Sequence, residues 1–325
     1  MNTIGLGNAL VDVLIRLEND DVLREIGIKK GAMDMIGEEQ MIAIRKKQES
    51  LARSQAPGGS VCNTMRAMAW LGARTGFIGK IGNDAVGRYY EEELARAGVS
   101  PYFIKTEGIS GSCTVLISPD GERSMGTFLG PAPMITPDEI REDILRSYQC
   151  IYIEGYLLVN EELVRSTMRK AKKLGLKVAL DLSNFNIVNA FRGLLEEIIP
   201  QYVDILFSNE SEAEAFTGLK APEAVRALSG QVEISLVTLG KEGALIGSKG
   251  EVIAVPAEGG SPLDTTGAGD HFAAGFLYGQ SVGATLEQSA RIGSLLAGYI
   301  IEVIGAQIPE EKWEQIKLKV NAILA

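Results

Sequence analysis

The chain carries one histidine, His271, and three cysteines, Cys62, Cys113 and Cys150, which lie far apart and in no Cys-x-x-Cys spacing. These shortages leave no material for a zinc site, a histidine-activated nucleophile or a disulfide framework. The Gly-x-x-x-x-Gly-Lys-Ser/Thr phosphate loop is missing, as are the segments that mark protein kinases, so neither of those nucleotide-handling classes applies. Basic residues are in deficit: 32 Lys and Arg against 42 Asp and Glu leave a net charge of −10. That balance offers no footprint for nucleic acid or for an anionic membrane surface. No apolar run is long enough to span a bilayer and no basic-then-apolar leader opens the chain, so the expectation is a soluble cytoplasmic protein.

What is present is an ordinary globular composition, 46% hydrophobic over 325 residues, long enough for one large α/β unit with a small appendage. From about Pro137 onward, short apolar runs (Ile151–Ile153, Val178–Leu180, Val203–Phe207, Ser235–Val237) alternate with helical segments such as Glu161–Leu174 and Asn189–Ile199. Repeated βα units predict a mainly parallel sheet covered by helices, with its ligand site beyond the carboxyl ends of the strands. Strand-like segments near 10–17, 31–37 and 110–130, the last folded back on Pro119-Asp120-Gly121, predict a separate small sheet. The stretch from Asp20 to Arg53 mixes helix with the short strand Ala32–Ile36. Asp84 is placed to cap the helix Ala85–Ala97. Apolar patterns predict helices over Leu286–Ile301 and, amphipathic, near Glu310–Leu324.

The most informative stretch is Asp264-Thr265-Thr266-Gly267-Ala268-Gly269-Asp270-His271-Phe272. Its first half is a small, polar glycine turn and its second half opens a helix. Unpaired N–H groups at a helix start, approached through glycines that lack Cβ, favour bound phosphate. Asp270 is a carboxylate inside that phosphate nest, where it would hinder simple binding but suits acceptance of a proton from an attacking hydroxyl. Read in isolation, the same residues are also compatible with a helix entry capped by Asp. Gly5-Leu6-Gly7 looks like the start of a dinucleotide fingerprint, but Leu10 stands at the third glycine and strand-like sequence follows, which rejects a dehydrogenase.

Asp264–Asp270 followed by Phe272 and Gly275-Phe276 resembles the C-terminal signature of the PfkB, or ribokinase-like, family of sugar and nucleoside kinases, and family-like segments recur in order up to about residue 308. The resemblance implies an α/β ribokinase-like fold whose small sheet closes over the substrate as a lid. It implies transfer of the ATP γ-phosphoryl group, with Asp270 as base and the backbone N–H groups of Gly267, Ala268, Gly269 and Asp270 stabilising developing charge. Gly7-Asn8-x-x-x-Asp12 is most similar to the adenosine-kinase branch, making Asn8 and Asp12 candidates for the substrate hydroxyls. Gly59 and Asn63, in Pro57-Gly58-Gly59-Ser60-Val61-Cys62-Asn63, join them. Asn209 and Glu212 match the family's Asn-x-x-Glu motif for Mg²⁺, and Thr238, Gly240 and Thr266 fall in nucleotide-side segments. The implied partners are small molecules, a nucleoside such as adenosine or alternatively a free sugar. K⁺ near the central loop, and either a monomer or a homodimer paired through the lid, stay open. The rival reading is a non-catalytic nucleotide or sugar sensor on the same fold.

Overall fold

The structure is a computed structural model and describes residues 1–48 and 53–325; the end of the mixed stretch before Arg53, residues 49–52, lies outside the described residues. The strands are β1 (Thr3–Leu6), β2 (Leu10–Arg16), β3 (Met33–Met35), β4 (Arg53–Gly58), β5 (Thr75–Gly82), β6 (Val99–Thr106), β7 (Gly111–Ile117), β8 (Arg123–Phe128), β9 (Cys150–Glu154), β10 (Lys177–Asp181), β11 (Ile205–Asn209), β12 (Ile234–Thr238), β13 (Ala244–Ser248) and β14 (Glu251–Val255). Nine of them form one sheet in the order β14-β13-β12-β11-β10-β9-β1-β5-β6. It is parallel from β6 to β12, and the hairpin β13–β14 adds antiparallel edge strands.

β1, β9, β11 and β12 read as near-continuous apolar runs because helices cover both faces of the sheet. β9 is buried throughout and β1 likewise. The strand order runs one way from β1 through β5 to β6 and the other way from β9 to β12. β1 and β9 are neighbours at the reversal, where doubly wound sheets open a crevice at the strand carboxyl ends.

The small sheet has the order β3-β8-β7-β2-β4. Three of its segments, 10–17, 31–37 and 110–130, carry the expected strands. β4 is an addition: Arg-Ser-Gln-Ala-Pro-Gly shows no alternation and contains Pro57, which an edge strand tolerates. Along β2 the odd residues Val11, Val13 and Ile15 are buried while Leu10, Asp12 and Leu14 are half-buried on the opposite face. Asp12 lies opposite Ala56 on one side and Cys113 on the other, and Cys113 lies opposite Thr127.

The expected helix over Asn189–Ile199 is two helices, Phe185–Ala190 and Arg192–Tyr202, interrupted at Phe191. Asp84 caps the Ala85–Arg96 helix, accepting from Gly87 N at 2.8 Å.

The helix Ala268–Ser281 is apolar around most of its circumference and packs against Leu286–Ile300 by close backbone approach. A Cβ on Gly275 would stand 2.6 Å from Gly293 N and from the backbone of Ile292. Gly275→Ala is therefore expected to destabilise by about 1–3 kcal/mol through overpacking, seen as a lower Tm in thermal unfolding. An unchanged Tm would mean that the two helices separate freely at this contact.

Candidate active site

Gly267 initiates the Ala268–Ser281 helix in the left-handed region, with φ +79°, a conformation open to glycine at little cost. Asp270 is thus the third helical residue and not the cap. Its carboxylate is held from a second helix, Ser60–Trp70: Ser60 Oγ donates to Oδ1 at 2.6 Å and Asn63 Nδ2 donates to Oδ2 at 2.8 Å. Thr64 Oγ1 donates to the Asp270 carbonyl at 3.1 Å. Two glycine turns far apart in sequence are in this way fastened to each other through one acid. At a helix start Asp270 is expected to be a weak, ionised base, but burial pushes its pKa up, against the two hydrogen bonds from Ser60 and Asn63.

Asp270 lies in a cleft of about 410 Å³ that also meets Asp12, Gly59 and Asn63 on one side and Asp181, Asn209, Glu212 and Thr238 on the other. Thr266, Gly267, Ala268 and Gly269 complete it. Among the residues lining this cleft there is no Lys or Arg. Burial first and the Asp270 charge second push Asp12 up to about 7. Asp181 and Glu212 are raised as well, mainly by burial, with the Asp181 charge adding to Glu212. Phosphate here would be met by backbone dipoles and by added cations.

A second cavity of about 400 Å³ adjoins the first across the start of the Ala268–Ser281 helix and shares Thr238, Thr265, Ala268, Gly269 and Phe272 with it. Gly240 belongs to this cavity, whose far wall is small and apolar: Ala257, Pro262, Ala297, Gly298 and Ile301. The first cavity is acidic and polar, the second is mainly apolar with Lys241 and Glu258 in its lining, and the glycine turn borders both.

The N–H groups of the turn are not all available. Ala268 N–H already donates to Thr265 O at 3.2 Å, whereas no hydrogen bond within the described residues engages the N–H of Gly269 or Asp270. Asn209 and Glu212 form a reciprocal capping box, Asn209 Oδ1 accepting from Glu212 N at 3.0 Å and Glu212 Oε2 from Asn209 N at 2.8 Å. Capping and cleft-lining coincide in this pair. Among the described residues no three His, Cys, Asp or Glu side chains converge closely enough to hold a metal by themselves. Asp181, Asn209 and Glu212 bring hard oxygens to the cleft beside the glycine turn, each already accepting a hydrogen bond within the protein, a set that suits Mg²⁺ keeping several waters better than direct ligation.

Asn8 alone of the expected residues stands outside both cavities. It is 5% exposed, with its N–H and Nδ2 turned to Glu154. Ser60 and Glu154 are not singled out by the sequence, whereas Asp181 stands at one of the strand carboxyl ends where the ligand site is expected. Ser60 sits inside the Gly58–Asn63 turn, and Asp181 and Glu154 each end an apolar strand, which is the only signal they give.

The small sheet meets the segment that leads into the glycine turn through Arg123, paired with Asp264 at 2.8 Å. Burial works against ionisation of Asp264, but Gly305 N–H, Arg123 and Thr266 outweigh it and hold its carboxyl below the usual range. No helix among the described residues is long and apolar enough to cross a membrane.

The family described as pfkB family carbohydrate kinase matches residues 26–313. An uncharacterised sugar kinase of Archaeoglobus fulgidus is 34% identical over 242 residues, 73% of this chain and 95% of the relative. The adenosine kinase of Saccharomyces cerevisiae is 32% identical over 275 residues, 78% of this chain and 80% of the relative. In structure, the adenosine kinase from Sinorhizobium meliloti superposes with a TM-score of 0.83 at 32% identity, covering 94% of this chain and 95% of its own.

Proposed function

Because the chain belongs to the pfkB family of carbohydrate kinases, we propose that it moves the γ-phosphoryl group of ATP to the primary hydroxyl of a ribosyl substrate, with a nucleoside such as adenosine as the acceptor. The observation that carries this reading is the fixed Asp270 carboxylate, aligned by Ser60 and Asn63 at the mouth of the glycine turn and sharing its cleft with Asp12.

The acceptor occupies the acidic cleft, with Asp12 and Gly59 taking its ring hydroxyls and Asn63 next to them. Asn63 Oδ1 is buried without a protein partner, ready to accept from a ligand hydroxyl. ATP lies with its base in the apolar cavity and its phosphates over the glycine turn, flanked by Thr238, Gly240 and Thr266. Asp270 receives the proton of the attacking hydroxyl, and the N–H groups of Gly269 and Asp270, with Gly267, face the charge that develops on the transferred group. Asp181, Asn209 and Glu212 would hold Mg²⁺ through water, and the ion supplies neutralisation of the phosphate oxygens. The small sheet acts as a lid: β2 brings Asp12 to the acceptor, and the Arg123–Asp264 pair fastens the sheet to the phosphate loop, keeping water from the phosphoryl group.

A free furanose is the second reading, favoured by the similarity to the sugar kinase of Archaeoglobus fulgidus. ADP release with Mg·ATP against adenosine, inosine, guanosine, ribose and fructose separates the two, and repeating it with and without K⁺ tests monovalent-cation activation. Turnover of adenosine above the free sugars is the expected result. Sugar turnover alone would keep the chemistry and move the acceptor, and no turnover despite ATP binding would favour a sensor.

A further inference from the structure

Glu154 is the last residue of β9 and is 1% exposed. Its Oε1 accepts from Asn8 N at 2.9 Å and from Asn8 Nδ2 at 2.6 Å, and its Oε2 accepts from Val61 N at 3.4 Å. All three partners are N–H donors, so the carboxyl acts as an acceptor at both oxygens. No basic side chain among the described residues bonds it. The nearby charge of Asp270 disfavours its ionisation, and its own charge in turn disfavours ionisation of the phenols of Tyr90 and Tyr156. Burying an acid in such company is costly, and a well-packed neutral residue would serve packing alone better.

The location explains what the carboxylate is for. Glu154 spans the crevice between β9 and β1, where the strand order reverses, and touches the two segments that bring acceptor-side groups to the cleft. Asn8 lies in the turn that leads from β1 into β2 and hence to Asp12. Val61 is the second residue of the Ser60–Trp70 helix, so its N–H is one of the donors left over at a helix start. That same helix start holds Asp270 through Ser60 and Asn63. A Cβ on Gly7 would come within 2.8 Å of Glu154 Oε2, so the turn closes directly onto the carboxylate.

We propose that Glu154 is a positioning residue for the acceptor: it locks the β1–β2 turn onto the start of the Ser60–Trp70 helix, and so holds Asp12 in register with Asp270. This rests on the acceptor site assigned above. Asn8 then acts through Glu154 by its N–H and Nδ2, while its Oδ1 is buried with no partner among the described residues.

The test is steady-state kinetics of Glu154→Gln, Asn8→Ala and the double variant, with Tm measured for each. Glu154→Gln turns an amide N–H₂ toward one of the donors and leaves it unpaired, so the KM for the acceptor should rise about tenfold. The KM for ATP should stay within about twofold, because the nucleotide cavity does not meet Glu154. Asn8→Ala should reproduce that split, and the double variant should be little worse than either single one. An unchanged acceptor KM in folded Glu154→Gln, or multiplying effects in the double variant, would overturn the proposal. Equal losses on acceptor and ATP alongside a lower Tm would overturn it too, by marking a general structural role. If Glu154→Gln does not fold, Asn8→Ala decides: an unchanged acceptor KM sinks the idea. Absence of any phosphorylation by the wild-type protein would instead remove the kinase reading and this inference with it.

Discussion

Asp270→Asn is expected to lower kcat by about 10²- to 10⁴-fold, the range for loss of a positioned general base, while the KM for ATP changes little. Asn keeps the volume of Asp and can accept from Ser60 through its amide oxygen, and a flip of the Asn63 amide turns its unpartnered Oδ1 to the new N–H₂ group, so the site stays formed while the proton acceptor is removed. Burial shifts Asp270 toward neutrality despite its place at a helix start, making it a stronger base than an exposed carboxylate. Losing its charge should also raise Tm, since the neighbouring Asp12, Asp181 and Glu154 each feel repulsion from it. A drop in rate together with a rise in stability distinguishes loss of chemistry from loss of structure. Steady-state ADP release and thermal unfolding read the two, and a kcat within about tenfold of wild type would remove Asp270 from the base role.

The features legible in the sequence are those with a local cause. The βα repeats from Pro137, the hairpin at Pro119-Asp120-Gly121 and the capping role of Asp84 are each written in adjacent residues, and each is present in the fold. The glycine turn at Gly267 was equally visible, because a left-handed residue before a helix calls for glycine. What escaped is what depends on tertiary neighbours. β4 has no apolar alternation and becomes a strand only because β2 offers it an edge. Glu154 looks like any charge closing an apolar strand until the fold sets Asn8 and Val61 around it. Asn8 could be read from its spacing to Asp12, but spacing does not say that Asp12, on β2, meets the cleft while Asn8, in the turn before β2, gives its N–H groups to Glu154. Ionisation is the least legible property: the sequence shows these acids in separate motifs, and only the fold gathers Asp12, Asp181, Glu212 and Asp270 around one cleft, with Glu154 buried beside it.

That gathering gives the pH dependence of stability an unusual sign. All five acids have folded pKa values raised above their ordinary ones, Asp12 and Glu154 to about 7, chiefly through burial. Between about pH 4 and pH 7 the folded chain therefore binds more protons than the unfolded one, and stability must fall as pH rises through that window. Two opposing groups act on the acid side. His271, lowered to about 4 by burial, loses its contribution as pH falls from 6.5 toward 4. Asp84, Glu139 and Asp264, held low by their hydrogen bonds, lose theirs below their ordinary range. The metal-free protein should thus be most stable at the acid end of that window, near pH 4 to 5, and lose on the order of 2–4 kcal/mol by pH 8, less than five independent shifts would give because the acids do not ionise independently. Millimolar Mg²⁺ should restore Tm at pH 8 and do little at pH 5.5, where protonated carboxylates compete with the ion. Glu212→Gln should flatten the pH slope and reduce the Mg²⁺ gain together, because one group is responsible for part of both. A Tm that rises from pH 5.5 to 8 without Mg²⁺, or an equal Mg²⁺ gain at both pH values, would show that the cleft acids are not the groups that set stability.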